Sequence, residues 1–444
     1  MRTLRVLIGA ILFNFIQLTT PLSASSLSES EKKITSVIDS QMLEAEKLLQ
    51  KVVNINSGTM NFSGVKEVGG IFIEQLQRIG FNTRWVDGSE FNRAGHLFAS
   101  RGDKGIKLLL IGHLDTVFAK DSHFQKFEKL DANKVKGPGI TDMKGGDVVI
   151  IQSLRALQNA GLLDDISIQV VMTGDEEKRG SPHLIANKVL IDSAKWADIA
   201  IGFEDGDGNP ETAVVARRGS VSWSIDVTGK PAHSSQIFQK DIGYGAILEA
   251  SRILNRFREQ LEPMKNLTFN PGLIVGGTAV SLDKQSSSGT AFGKGNVIAQ
   301  SVKISGGIRA TSPEQLNEAK VTMQAIVGSN LLQTKADLSF SPGYPAMAPR
   351  ESNYQLLSIY NQISLDLGYG EVKAVDPRKA GAADISFAAD YVLMSLDGLG
   401  LMGSGGHTDN EIADMNTFAM QIKRSALLLY RLGQQRQILL GDES

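Results

Sequence analysis

Apolar positions recur at helical spacing between Ser30 and Val52, with Ile34, Ile38, Met42 and Leu48 along one face, which predicts an amphipathic helix. The same spacing predicts a second helix over Val68–Ile79, stopped by Gly80. Beyond it the pattern changes to short, uninterrupted apolar runs. Ile106–Ile111, Ile166–Thr173 and Asp198–Phe203 read as buried strands. Between the first two lies a helix over Gly146–Ala160, with Ile150, Ile151, Leu154 and Leu157 on its apolar stripe. Strands alternating with helices predict an α/β domain built on a largely parallel sheet.

From about Val215 the texture shifts. Val221–Val227 alternates as a half-exposed strand, and Gly243–Gln260 has helical spacing. Asn296–Arg309 reads as a strand pair turning at Gly306-Gly307, followed by a helix over Pro313–Val327 and a strand over Ala336–Phe340. This β-α-β-β-α-β order is that of a small two-layer domain. Asn353–Leu367 is again helical, and α/β texture resumes from Ala383. The expected organisation is an N-terminal segment 1–24, a main domain 25–214 resumed at 336–444, and an insert over 215–335.

The N-terminal segment has Arg2 and Arg5 ahead of an apolar run, Val6–Leu18, then Pro21-Leu22-Ser23-Ala24. Charged, apolar and small-residue parts in that order predict a secretory signal cut after Ala24. Asn14 and Gln17 interrupt the run, and a bilayer span needs about 20 apolar residues, so no stable membrane insertion is expected after cleavage. The mature chain is therefore expected in the periplasm or outside the cell. The 46 Lys and Arg against 48 Asp and Glu leave a formal charge of -2, which excludes a broad basic surface for nucleic acid. The absence of cysteine excludes disulfides, thiolate metal sites and cysteine nucleophiles. Any metal falls to the six histidines and the carboxylates.

Chemistry-bearing residues cluster just past the predicted strands. His113 and Asp115 follow the strand ending at Ile111, Asp175-Glu176-Glu177 the one ending at Thr173, and Glu204 the one ending at Phe203. Ligand sites in open α/β sheets collect at such carboxyl ends. Asp142 lies in a glycine-rich stretch opening a helix, and His407 in another near the C-terminus. Histidines and carboxylates together suit a pair of divalent ions, with zinc favoured by the mix of nitrogen and oxygen ligands. A carboxylate next to a ligating histidine, as Asp115 is to His113, can take the second ring N–H. In Glu176-Glu177 one carboxylate can bind metal while the other accepts a proton from water. Asp205 and Asp207 compete with Glu204, which stands first after its strand. His96, His123 and His183 fit no part of the pattern.

These stretches carry a resemblance: GHLDTVF at 112–118, GPGITDMKGG at 137–146, TGDEEKRGS at 173–181, GFED at 202–205, TGKPAHS at 228–234 and GGHTDNE at 405–411. The chain resembles the M20 zinc metallopeptidases, and within them the secreted glutamate carboxypeptidase group. The resemblance implies a zinc-peptidase-like α/β catalytic domain with a mostly parallel central sheet, and an inserted two-layer α+β lid that often dimerises. It implies two zinc ions, with cobalt or manganese able to substitute. His113 and Glu204 would bind one ion, Glu177 and His407 the other, and Asp142 would bridge them. Asp115 would orient His113, and Glu176 would be the general base. His233 would reach the reacting carbonyl, from the partner subunit in some relatives. Asn296 and Arg309 would hold the substrate carboxylate, and Gly381 would flank the site. The chain departs from the family pattern at Asn296-Val297-Ile298-Ala299 and Gly381-Ala382-Ala383, and the lysine that a glutamate reader carries between Glu204 and Gly219 is missing, with Arg217 and Arg218 nearby instead.

The expected function is an exopeptidase that cleaves the amide bond before a C-terminal residue, glutamate first, on small peptides or N-acyl amino acids, as a homodimer through the lid. An N-acyl-amino-acid amidohydrolase with another side-chain preference is the alternative within the family. A periplasmic solute-binding protein is the alternative from another class, and it has no use for a base beside a two-metal site.

Overall fold

A computed structural model describes residues 27–283 and 287–434. The expected signal segment 1–24 lies outside the described residues. Among the described residues, no helix is long and apolar enough to cross a membrane.

The larger core is built on a six-stranded sheet in the order Asn82–Asp87, Gly95–Arg101, Ser167–Thr173, Lys107–His113, Ile199–Gly202, Met394–Leu396. The last four are mutually parallel. Asn82–Asp87 and Gly95–Arg101 join antiparallel, so the sheet is mixed. The continuous apolar runs are explained by burial on both faces. Along one strand, Leu108 and Leu110 enter the core beneath helices Glu29–Val53, Gly145–Ala160 and Asn416–Gln434. Leu109 and Ile111 enter the opposite core, against helices Lys188–Trp196 and Ile385–Ala388. Each such side chain contributes about 1.5–3 kcal/mol on full burial.

The parallel arrangement brings the carboxyl ends of four strands to one edge, which sets Glu176, His113, Glu204 and Asp397 side by side. The helix after Asp142 approaches that edge closely. A Cβ on Gly146 would lie 1.9 Å from the Phe203 carbonyl oxygen, so only glycine lets the helix start there.

A second core belongs to a four-stranded antiparallel sheet, ordered Thr268–Gly277, Ser301–Ala310, Gly219–Gly229, Thr334–Tyr344. Val221, Trp223, Ile225 and Val227 face helices Gly245–Leu261 and Pro313–Gly328, while the alternate residues stay outside. The β-α-β-β-α-β order holds, but its middle strands differ from expectation. Ser301–Ala310 runs straight through Gly306-Gly307 as a single strand. Glycine at 306 admits Trp223, whose ring a Cβ would meet at 2.5 Å. Its partner is Thr268–Gly277, an edge strand whose Pro271 sits at a register shift and breaks the sequence pattern. A hairpin, Ala279–Asp283 with Ser288–Phe292, lies between them in sequence. The last strand reaches Tyr344, past the boundary expected at 335. The early helix starts at Phe62 rather than Val68.

Candidate dinuclear metal centre

His113 ends its strand with its ring buried. Its Nε2 lies 3.1 Å from Asp142 Oδ1 and 3.6 Å from Glu204 Oε1. On the other side of Asp142, His407 Nε2 lies 2.8 Å from Oδ2 and 3.2 Å from Glu177 Oε2. Two ligand sets result: His113, Asp142 and Glu204, and Asp142, Glu177 and His407, each with its donor atoms within 4.8 Å of one another. Asp142 belongs to both. Of the three acids Glu204, Asp205 and Asp207, only Glu204 joins a set.

The electrostatics are those of a crowded acidic site. Burial pushes the carboxyls of Glu204 and Glu176 well above their usual range, and neighbouring carboxylates add to the push while His113 opposes it. Burial also raises Glu177. Burial works against Asp142 too, but hydrogen bonds from His113 and His407 outweigh it and hold its carboxyl below the usual range. Burial opposes a charge on His113, yet the carboxylates of Glu204, Asp115 and Asp142 raise it well above normal. His407 is raised to about 11 by its hydrogen bonds to Asp142 and Glu177. Glu177 Oε1 is buried with no hydrogen-bond partner. Buried like charges and an unpartnered ligand oxygen are both relieved by cations, and two nitrogens with three carboxylates suit zinc-like ions. The residues therefore fit a pair of divalent metals.

The supports come from far along the chain. The Asp115 carboxylate accepts from the Thr59 hydroxyl at 2.6 Å and from the backbone N–H groups of Glu176 at 3.0 Å and Glu177 at 3.2 Å. His113 Nδ1 is 3.0 Å from the Asp115 carbonyl oxygen, and the carboxylate is farther, at 3.6 Å. The carboxylate thus clamps the Glu176-Glu177 loop, and the backbone of the same residue faces the ring. Glu411 does the same for Asp142. Its buried carboxylate accepts from the N–H groups of Gly139, Thr141 and Asp142 at 2.8, 2.8 and 3.1 Å. Asp397, buried past the last parallel strand, accepts from Arg217 at 2.7 Å and from the Glu204 N–H at 3.3 Å. Sequence reasoning gave neither Glu411 nor Asp397 a role, although Glu411 sits inside the GGHTDNE stretch.

The remaining expected site residues fall into two places. Arg309 is exposed at the end of its strand, opposite Ser220 and Thr268. Arg218 beside it donates to Thr268 Oγ1 and the Arg378 carbonyl, and burial and the charges of Arg309 and Arg378 hold it below its usual value. Arg217 is buried and donates to Asp397 and to the Gly381 carbonyl at 3.0 Å, with its Nη2 buried and unpartnered. These groups lie on the Glu204 side of the cluster. His233 and Asn296 lie elsewhere. His233 bridges Val297, and the Ser234 N–H donates to the Asn296 carbonyl at 2.9 Å, beyond the opposite end of the same sheet. At about 3.3 Å per residue, the strand from Ser301 to Arg309 alone separates them by roughly 25 Å. One chain does not bring Arg309 together with His233 and Asn296.

The sequence matches the model of peptidase family M20/M25/M40 over residues 109–431. It is 27% identical over 392 residues to carboxypeptidase G2 of Pseudomonas sp. (strain RS-16), covering 87% of this chain and 89% of that protein. A tripeptidase from Staphylococcus aureus superimposes with a TM-score of 0.68 at 21% identity, over 88% of this chain and 98% of its own. A dinuclear metal-binding M20 peptidase from Bacillus subtilis superimposes with a TM-score of 0.61 at 13% identity, over 89% and 99%. At these identities the two structures speak for the fold.

Proposed function

Because the chain belongs to peptidase family M20/M25/M40 and is a metal-dependent hydrolase of peptides or amides, we propose that it is a dinuclear zinc exopeptidase that cleaves the amide bond before a C-terminal glutamate. The observation that carries this reading is the sharing of Asp142 by two ligand sets, with Glu176 close to both Glu177 and Glu204. When bound, the two ions supply an acidified water and a polarised scissile carbonyl. Glu176 accepts the proton of the attacking water and passes it to the leaving amine. Asp115 and Glu411 keep the loops carrying Glu176, Glu177 and Asp142 in place.

The preference for glutamate rests on Arg309, Arg218 and Arg378, three cations near one another on the Glu204 side. A substrate end with two carboxylates offsets two of these three charges, and a guanidinium binds a carboxylate through two parallel hydrogen bonds. His233 and Asn296 enter the site from a second copy, which makes the active form a homodimer joined through the insert. In that arrangement His233 donates to the oxyanion. Export to the periplasm, drawn from the N-terminal sequence, belongs to the same proposal.

The test is amine release by the zinc-loaded mature chain from N-acyl amino acids and dipeptides ending in Glu, Asp, Ala, Leu or Arg. A strong preference for Glu, lost together with Arg309→Ala, supports the reading. Release from other residues and not from Glu keeps the mechanism and makes the protein an N-acyl-amino-acid amidohydrolase.

A further inference from the structure

The peptide plane joining Glu176 to Glu177 is held from both sides. Its N–H, on Glu177, donates to Asp115, and its C=O, on Glu176, accepts from the Tyr344 hydroxyl at 2.6 Å. Tyr344 is not part of the main domain's sheet. It is the last residue of the strand by which the chain leaves the insert, and it pairs with Ser220, at the start of the strand by which the chain enters it. The two connections run on together as a bridge between Arg217 and Met347. The insert is therefore joined to the main domain at residues 217–220 and 344–347, and a side chain from that hinge touches the catalytic loop.

The Tyr344 hydroxyl is itself fixed. Arg179 donates to it at 2.9 Å, and the guanidinium lies 5.4 Å from the Tyr344 ring centre and 5.3 Å from that of Phe387. Arg179 is in turn held by Asp175 at 2.6 Å and by Asp384. These three charged side chains are almost fully buried. A buried arginine held between two buried carboxylates is a rigid support, because pulling either carboxylate away leaves a buried charge without its partner.

We propose that Tyr344 is a positioning residue, which sets the Glu176-Glu177 peptide from the hinge and so ties the placement of the base to the placement of the insert. The inference rests on Glu176 being the base. Rotation of this peptide swings Glu176 on one side and Glu177 on the other, so a hinge movement that withdraws the hydroxyl frees both. Removing the hydroxyl alone loosens the base without touching substrate contacts. A displacement of about 1 Å at a reacting group can cost 100-fold in rate.

The experiment compares Tyr344→Phe, Glu176→Gln and Tyr360→Phe with the wild type, on whichever substrate the panel shows to be turned over fastest. Tyr360 is a control that belongs to neither ligand set and does not touch the Glu176-Glu177 loop, and its buried hydroxyl donates to Gln421 at 3.1 Å. The expected result for Tyr344→Phe is a kcat reduced about ten- to a hundredfold, with KM within about twofold, full metal content and a Tm close to that of Tyr360→Phe, whose kcat is unchanged. A wild-type kcat in Tyr344→Phe, with Glu176→Gln inactive, overturns the inference alone. A loss of kcat matched by lost metal, or shared by Tyr360→Phe, also overturns it. Turnover in Glu176→Gln overturns the base assignment beneath it.

Discussion

Asp115→Asn separates two roles that one residue could play. If the carboxylate chiefly orients His113, the substitution weakens the His113 half of the cluster. The geometry says otherwise, because the ring faces the backbone carbonyl of residue 115, which the substitution leaves in place. What changes is the clamp. Oδ1 accepts from the Glu176 N–H, and Oδ2 from the Glu177 N–H and the Thr59 hydroxyl. An amide offers one oxygen, so one backbone N–H must face an NH2 group. A buried donor left unsatisfied costs about 1–3 kcal/mol, and the surviving bonds lose their charge assistance, about 1 kcal/mol more. The penalty of roughly 2–4 kcal/mol falls on the loop that carries Glu177, and supports of this kind are typically worth 10–100-fold in metal affinity. Titration with zinc against a competing chelator should show one of two sites weakened by about that factor and the other unchanged. Metal-dependent absorption of cobalt substituted into each variant should assign the weakened site to His407 and Glu177. A loss confined to the His113 site, or no loss at either, refutes the clamp.

Glu176→Ala should keep both ions by elemental analysis and lose about 100- to 10,000-fold in kcat, the usual contribution of a general base. His407→Ala should fall from two metal equivalents to one. In the metal-free protein His407 is raised to about 11, so its proton is bound throughout the neutral range. Its pairing with Asp142 and Glu177 stabilises the metal-free fold fully below the unfolded value near 6.5, and that contribution is lost as pH rises through about 11. Because a ligating imidazole must be neutral, zinc binding should release protons and tighten with pH between about 6 and 8, measured by calorimetry in buffers of different ionisation heat. A pH-independent affinity contradicts the ligand role. Glu411→Ala leaves three backbone N–H groups around Asp142 without their acceptor. It should weaken both sites together in the same titration, since Asp142 is shared.

Much of this protein is legible along the chain because the signals are local. A strand buried on both faces must be continuously apolar, so Ile106–Ile111 and Ile166–Thr173 declare themselves, and the parallel sheet follows. Residues placed just past such strands must meet at one edge, which is why His113, Glu176, Glu177 and Glu204 could be named together. The edge strand Thr268–Gly277 was hidden, because Pro271 and its glycines are tolerated only where no further strand must pair.

What the sequence left open depends on contacts between distant segments. Nothing near Asp115 says that its carboxylate turns to a loop at 176–177, that Glu411 holds residues 139–142, or that Tyr344 reaches the Glu176 carbonyl. The separation of Arg309 from His233 and Asn296 is equally invisible, because sequence distance does not say at which end of a sheet a residue stands. Hydrophobic periodicity is a property of each element by itself and sets its type and buried face. The hydrogen bonds that fix a catalytic loop are properties of pairs brought together only when the elements pack, and those the tertiary structure alone decides.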